Sequence, residues 1–180
     1  MNRRISLTDI STLSGRRVFF DTNVLIYIFW PTGMRPRIAE YSSAFRRLLN
    51  MKIDLCLDIT VLSELINRIL RLEHEKYLKE NSLQKDQFGF KQFRNTPECF
   101  SSTEVLYLLV QNRILRRFVV VGKSFSNADI PALFIKGMDF NDQIIISTCL
   151  ENNCILLTND ADYLNAPIDI LSSNPKLLAE

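Results

Sequence analysis

The sequence predicts an α/β protein with a central, mostly parallel sheet and helices on both of its faces. Three observations lead there. Short β-prone runs recur along the chain: Arg17–Phe20 (RVFF), Ile53–Leu57 (IDLCL), Phe118–Val121 (FVVV) and Cys154–Thr158 (CILLT). They are largely apolar rather than alternating, the pattern of strands covered on both sides. Segments of helical periodicity separate them, as parallel crossovers require. With 180 residues, 47% of them hydrophobic, the chain has the material for one domain with a substantial core, so 1–180 is expected to form a single domain.

In chain order, RVFF is followed by Asp21-Thr22-Asn23, whose side chains suit the cap of a short helix, Val24–Trp30, closed by Pro31 and Gly33. Ile38–Asn50 places Ile38, Tyr41, Phe45, Leu48 and Leu49 at helical spacing, with Arg46 and Arg47 outside. After IDLCL, Asp58 or Thr60 caps a long helix with Val61, Leu62, Leu65, Ile66, Ile69 and Leu70 on its inner stripe. His74 is expected on that helix's surface. Residues 73–100 lose regularity and mix basic residues with Tyr77, Phe88, Phe90, Phe93 and Phe100. Part of this insertion extends the helix, and the rest reads as loop or short hairpin. Ser101-x-x-Glu104 resembles a capping box opening a helix to about Arg116. Asp129 with Pro131 suggests a short helix ending at Gly137. Asp139–Asp142 (DFND) leads into a helix to Glu151, Asn152-Asn153 turns the chain into CILLT, and Ile168–Leu171 is a last strand.

Composition excludes several function classes. Net charge is only +2, too small a field to imply a polyanionic partner by itself. Val18–Trp30 is interrupted by Asp21 and Asn23, and Ile144–Leu157 by Glu151-Asn152-Asn153, so neither has the apolar length of a membrane helix. The first residues contain no apolar stretch of a secretory signal. Cys56, Cys99, Cys149 and Cys154 form no C-x-x-C pair. They read as reduced thiols, and the expected location is cytoplasmic. Walker, G-x-G-x-x-G and G-x-S-x-G patterns are missing, which removes the usual support for NTPase, dehydrogenase and hydrolase readings.

The acidic residues carry the chemistry. In a parallel α/β sheet the site lies beyond the carboxyl ends of the strands. Asp21 directly follows RVFF, and Asp160 follows CILLT by one residue. Asp142 opens a helix with Asp139 one turn earlier, and Glu64 lies one turn into the helix after IDLCL. Crowded carboxylates repel, and a hard divalent cation relieves the conflict. Mg²⁺ or Mn²⁺ suits all-oxygen ligands, and His74 is the only histidine that a softer metal would find. Such a site commonly hydrolyses phosphodiesters, with a spare carboxylate orienting the attacking water. Each acid also has a local reading. Asp21 caps a helix, Glu64 pairs with Arg68 at i,i+4, Asp142 complements a helix dipole, and Asp139, Asp160 and Asp162 shape turns.

FFDTNVLIY, TVLSELINR and FNDQIIISTCLENNCILLTNDADY, in that order, resemble the PIN-domain ribonucleases, most of all the VapC-type toxins of bacterial toxin–antitoxin pairs. The resemblance runs from about Arg17 to Ile170. It implies a PIN-like α/β/α sandwich and Mg²⁺- or Mn²⁺-dependent endonuclease activity on RNA. Asp21, Glu64, Asp142 and Asp160 would take the four acidic positions, with Asn23 and Thr158 as polar support and Asp139 beside them. It also implies a small antitoxin partner and a homodimer. The 73–100 insertion is longer and more aromatic than in a compact toxin of this kind. Stacking and phosphate contacts from Tyr77–Phe100, or from the Arg46-Arg47 and Arg116-Arg117 pairs, would suit RNA, although such residues more often pack inward or face solvent.

Two other readings compete. A catalytically silent PIN-like RNA-binding or interaction module would keep the fold without the chemistry, yet all four acids are present. A receiver-like phosphoacceptor domain also clusters acids with a Thr, but needs an early acidic pair and a late Lys that the sequence lacks. Asp21-Thr22-Asn23 does not supply the D-x-D of a dehalogenase-type phosphatase.

Overall fold

The apolar runs do become adjacent parallel strands. In the computed structural model, which describes residues 2–13, 15–31 and 35–179, six strands form one sheet. They are β1 (Arg4–Ser6), β2 (Arg17–Phe20), β3 (Leu55–Leu57), β4 (Phe118–Val120), β5 (Cys154–Leu157) and β6 (Ile170–Ser172). Their order is β1-β6-β5-β2-β3-β4, and every pairing is parallel. The chain runs outward from β2 through β3 to β4, then crosses to the other side of β2 for β5 and β6. The carboxyl ends of β2 and β5 therefore flank the switch point, where open α/β sheets form a crevice.

The strands at the centre of the sheet are covered on both faces. Val18, Phe19 and Phe20 are fully buried, as are Ile155, Leu156 and Leu157 opposite them in register. Helix α1 (Thr22–Phe29) follows β2 directly, and α2 (Arg35–Asn50) packs on it. The Gly33 expected to close α1 lies outside the described residues; Trp30 ends the helix, its N–H reaching the Ile26 carbonyl. On this face the Phe20 and Phe118 rings meet edge to face at 4.9 Å, and Phe45 of α2 stacks on Phe118. Strand alternation sends Phe19 and Cys56 to the other face. There the charge environment of Cys149, on helix α6 (Phe140–Glu151), includes Cys56. The result is the α/β/α layering expected.

By internal packing the chain resolves into two compact units, Met1–Leu62 with Phe118–Glu180, and Ser63–Arg117. The sheet lies entirely in the first. Helix α3 (Ile59–Glu80) starts in the first unit, where the buried Asp58 accepts from the Val61 N–H at 2.8 Å and settles the choice of cap. The rest of α3 belongs to the second unit, with α4 (Phe90–Phe93), α5 (Pro97–Leu109) and a π turn, Val110–Ile114. Helix α7 (Pro175–Leu178) ends the first unit. All four cysteines are buried and free. Among the described residues, no helix is long and apolar enough to cross a membrane.

Several local expectations are corrected. The segment before Gly15 supplies edge strand β1 and a 3₁₀ stretch, Leu7–Thr12, that the sequence did not signal. Residues 73–100 contain no hairpin: α3 continues to Glu80, and turns lead to α4. Ser101 lies inside α5, whose cap is Thr96, its hydroxyl accepting from Cys99 N–H with Pro97 in first position. His74 is buried, 6% exposed, not a surface residue. A ring nitrogen donates to the Phe88 carbonyl at 2.9 Å, and the Phe88, Phe90 and Phe93 rings surround it at 5.2 to 6.4 Å. Except for Phe100, which is exposed, the insertion's aromatics are thus largely spent on its own small core.

Two stability predictions follow from the buried polar groups. Replacing His74 by Leu leaves the Phe88 carbonyl without its donor and is expected to cost roughly 1–3 kcal/mol in denaturant unfolding; a loss near zero would show that the bond contributes nothing. Burial holds the Asp58 carboxyl above its ordinary value of 3.8, against the opposing hydrogen bonds from Val61 and Thr148. The folded state then binds this proton more tightly than the unfolded chain. The stabilisation is complete below the unfolded pKa and is lost as pH rises through the folded one. Asn caps without ionising, so the melting temperature of Asp58→Asn relative to the parent should climb from about pH 4 to pH 7. A pH-independent difference would refute the assignment.

Candidate active site

The last residues of β2 and β5 define the centre. Asp21 extends the ladder by one rung, its N–H donating to the Leu157 carbonyl at 3.1 Å, and its own carbonyl receives Val24 and Leu25 of α1. Backbone pairing on both sides fixes where the carboxylate begins. The residue is only 6% exposed, so its charge needs donors. Thr22 N–H donates to Oδ1 at 2.7 Å, while the Thr158 hydroxyl and the Asn23 side-chain amide each donate to Oδ2 at 2.6 Å. The Thr158 bond spans the switch point from β5 to β2.

Residues 158–160 are held from several sides. The fully buried Thr158 also accepts from the Asp160 N–H at 2.9 Å. Asn23 Oδ1 accepts from Asn159 N–H at 3.3 Å, and the Asn174 side chain donates to the Asn159 carbonyl at 2.7 Å. The buried Tyr41 hydroxyl lies 3.1 Å from both the Thr158 carbonyl and Asn159 Oδ1, and accepts from Ser173 N–H. Burial pushes this phenol's pKa up, so it remains a donor.

Asp142 lies in the first turn of α6. Its Oδ1 accepts from the Tyr163 hydroxyl at 2.6 Å. Tyr163 is buried, and burial, followed by the charges of Asp21 and Asp142, drives its phenol well above the ordinary range. The phenol therefore stays protonated and experiences both carboxylates, which places Asp21 and Asp142 in one electrostatic neighbourhood. Sequence reading missed Tyr163. The available signal was its position one turn after Asp160, in DADY, just past the end of a central strand.

The remaining candidates sit differently. Asp160 is exposed, and its Oδ1 accepts from Asp162 N–H at 3.1 Å, capping the 3₁₀ turn Ala161–Asn165. Its backbone, not its carboxylate, makes the bond to Thr158. Asp162 is exposed. Asp139 caps α6 by accepting from Asn141 N–H at 2.8 Å. Glu64 lies in the second unit and accepts from Arg68 at 3.3 Å, the i,i+4 pair.

Among the described residues, no three or more His, Cys, Asp or Glu side chains cluster as a metal cage. The donor chemistry of the switch point suits a hard cation all the same. Asp21, Asp142, Asn23 and Thr158 offer oxygen only, and Mg²⁺ is commonly held by one or two carboxylates completed by waters and substrate phosphate oxygens.

No curated protein matches the sequence. Among solved structures, FitAcB from Neisseria gonorrhoeae superposes with a TM-score of 0.50 at 15% identity, covering 86% of this chain and 96% of that one. VapBC2 from Rickettsia felis, bound to a DNA fragment from their promoter, gives a TM-score of 0.46 at 15% identity with the same coverage. At this identity the first likeness speaks to the fold alone. The PIN domain pattern matches residues 18–168, from the second residue of β2 to just before β6. That span holds every acidic residue discussed above, and the chain belongs to the PIN domain family.

Proposed function

We propose that this chain is a metal-dependent endoribonuclease that hydrolyses RNA phosphodiester bonds, and that it acts as the toxin of a toxin–antitoxin pair. The observation that carries the reading is the Asp21 carboxylate, buried at the switch point, held by three short donors and sharing the field of Asp142. Membership of the PIN family and the likeness of FFDTNVLIY and LLTNDADY to VapC-type toxins support it. A small antitoxin, a homodimer, and a cytoplasmic site of action belong to the same proposal.

Asp21 and Asp142 are the residues proposed to hold Mg²⁺ or Mn²⁺. When bound, the ion supplies charge stabilisation at the phosphate and lowers the pKa of a coordinated water. Thr158 and Asn23 fix the rotation of Asp21, so one geometry is offered. Tyr163 does the same for Asp142 and keeps its proton throughout. The exposed Asp160, whose Oδ1 caps the following turn, is the carboxylate proposed to orient the attacking water. Glu64 stays a candidate fourth acid on its sequence position alone.

A labelled single-stranded RNA incubated with the protein should be cut in Mg²⁺ or Mn²⁺ and left intact in EDTA. Asp21→Asn should lose at least about 100-fold in rate, as should removal of a group the metal requires. Cleavage unaffected by EDTA or by Asp21→Asn would refute the proposal, and RNA binding without any cleavage would favour the silent module instead. Glu64→Gln, assayed alongside, decides whether that acid takes part.

The supporting side chains give a separate test. Thr158→Val and Tyr163→Phe each remove one hydroxyl while keeping the packing, and should weaken activity or metal affinity roughly 10- to 100-fold. The loss should appear as a higher metal concentration for half-maximal rate. An unchanged metal titration would sink the role given to these two hydroxyls.

A further inference from the structure

Beyond the acids, one arginine–tyrosine pair in the sheet unit, Arg37 and Tyr27, leaves hydrogen-bonding capacity to spare. Asn23 and Tyr27 are four residues apart on α1 and share a face. Asn23 is bonded to Asp21, so Tyr27 lies about 6 Å along the same helix from the candidate centre. The half-buried Tyr27 ring packs on Tyr41 at 5.6 Å, and Tyr41 in turn touches the Thr158–Asn159 backbone. Arg37 of α2 donates from Nη1 to the Tyr27 hydroxyl at 3.5 Å.

Most other arginines of this unit are committed. Arg4 donates to the Ile168, Leu164 and Ala166 carbonyls, Arg47 to those of Leu7 and Thr8, and Arg3 and Arg16 pair with Asp169. Arg37 is half-buried, and among the described residues no carboxylate lies within 4 Å of it. A guanidinium has five N–H donors, and a single long contact to a phenol leaves the others to spare. Because the Tyr27 oxygen accepts from Arg37, its own proton is directed elsewhere. The guanidinium and the phenol thus meet at one point, with N–H donors left over for an anion.

We propose that Arg37 and Tyr27 form a clamp for a backbone phosphate of single-stranded RNA, next to the phosphate that is cut. This rests on the ribonuclease reading above. A planar fork beside a hydroxyl donor matches the two non-bridging oxygens of a phosphodiester. One helical turn is of the order of the step between successive phosphates in one strand. The clamp reads backbone, so it sets the path of the strand rather than its sequence.

The test separates binding from cleavage. The affinity of the full chain for a fluorescein-labelled single-stranded RNA is measured by anisotropy in EDTA, over a range of salt. Arg37→Ala should weaken binding about 10-fold or more, as loss of a charged hydrogen bond implies. It should also flatten the slope of log K against log salt by about 0.7, one phosphate contact on a single strand. Arg37→Lys should keep the slope and lose part of the affinity. Tyr27→Phe should keep the ring packing and the slope but bind more weakly. Arg17→Ala, an exposed arginine at the opposite, amino end of β2, should match the parent. If the parent cuts and binds RNA while Arg37→Ala binds with unchanged affinity and slope, the clamp is wrong and the nuclease reading stands. If the parent neither binds nor cuts RNA, both fall.

Discussion

A carboxylate buried at the end of the central strand is the constraint on which the rest of the sheet unit depends. Taking such a charge out of water costs several kcal/mol unless hydrogen bonds replace the solvent. Asp21 cannot relax away from this demand, because its N–H completes the ladder to β5 and its carbonyl begins α1. The donors must come to it. One is the Thr22 N–H, made available because the first amides of a helix have no partner within it. The other two, from Asn23 and Thr158, come from the two elements that flank the crevice. The strand order thus has a chemical consequence: only with β5 beside β2 does Thr158 arrive at the Asp21 carboxylate.

A second layer of hydrogen bonds carries the constraint outward. Tyr41 on α2, Asn174 before α7 and Asn23 on α1 hold the turn after β5. The Arg4 guanidinium collects the carbonyls of Leu164, Ala166 and Ile168, and so fixes the end of the 3₁₀ turn that carries Tyr163. Arg4 belongs to β1, which pairs with β6 at the far edge of the sheet. The first residues of the chain therefore bear on the orientation of Asp142, through Tyr163, without being near it in sequence.

Much of this was legible, and the reasons differ by element. The central strands β2, β3 and β5 announce themselves because burial on both faces demands unbroken apolar runs, and the edge strand β4 shows such a run although Val119 and Val120 are exposed. β1 does not: an edge strand three residues long, half-exposed at both ends, leaves Arg4 and Ser6 polar and carries no pattern. Ser101 misled because a capping box is a local pattern that a helix interior can contain by chance, whereas Thr96-Pro97 combined a cap with a proline in first position. His74 was placed outside because a polar residue on a long helix usually is. Its burial depends on Phe88, Phe90 and Phe93, which return to it through a turn no periodicity predicts. Asp21, Thr158 and Asn23 could be paired from strand ends, since register alone brings them together. Tyr163 could not, because a 3₁₀ turn decides where it points.

The acids show why position after a strand is not enough to assign a role. Asp21 follows β2 and Asp58 follows β3; both are buried, and both begin a helix. Asp58 receives one short backbone bond and a Thr148 hydroxyl at 3.5 Å, and burial prevails, lifting its pKa toward the neutral form. Asp21 receives three donors at 2.6 to 2.7 Å. The difference lies in the neighbours. Beyond β3 stands β4, whose end supplies Val120 and Val121, while beyond β2 stands β5, whose end supplies a hydroxyl. The same strand–aspartate–helix grammar thus yields a helix cap in both places, and only in one a carboxylate also tied to a neighbouring strand's hydroxyl; the topology of the sheet decides which.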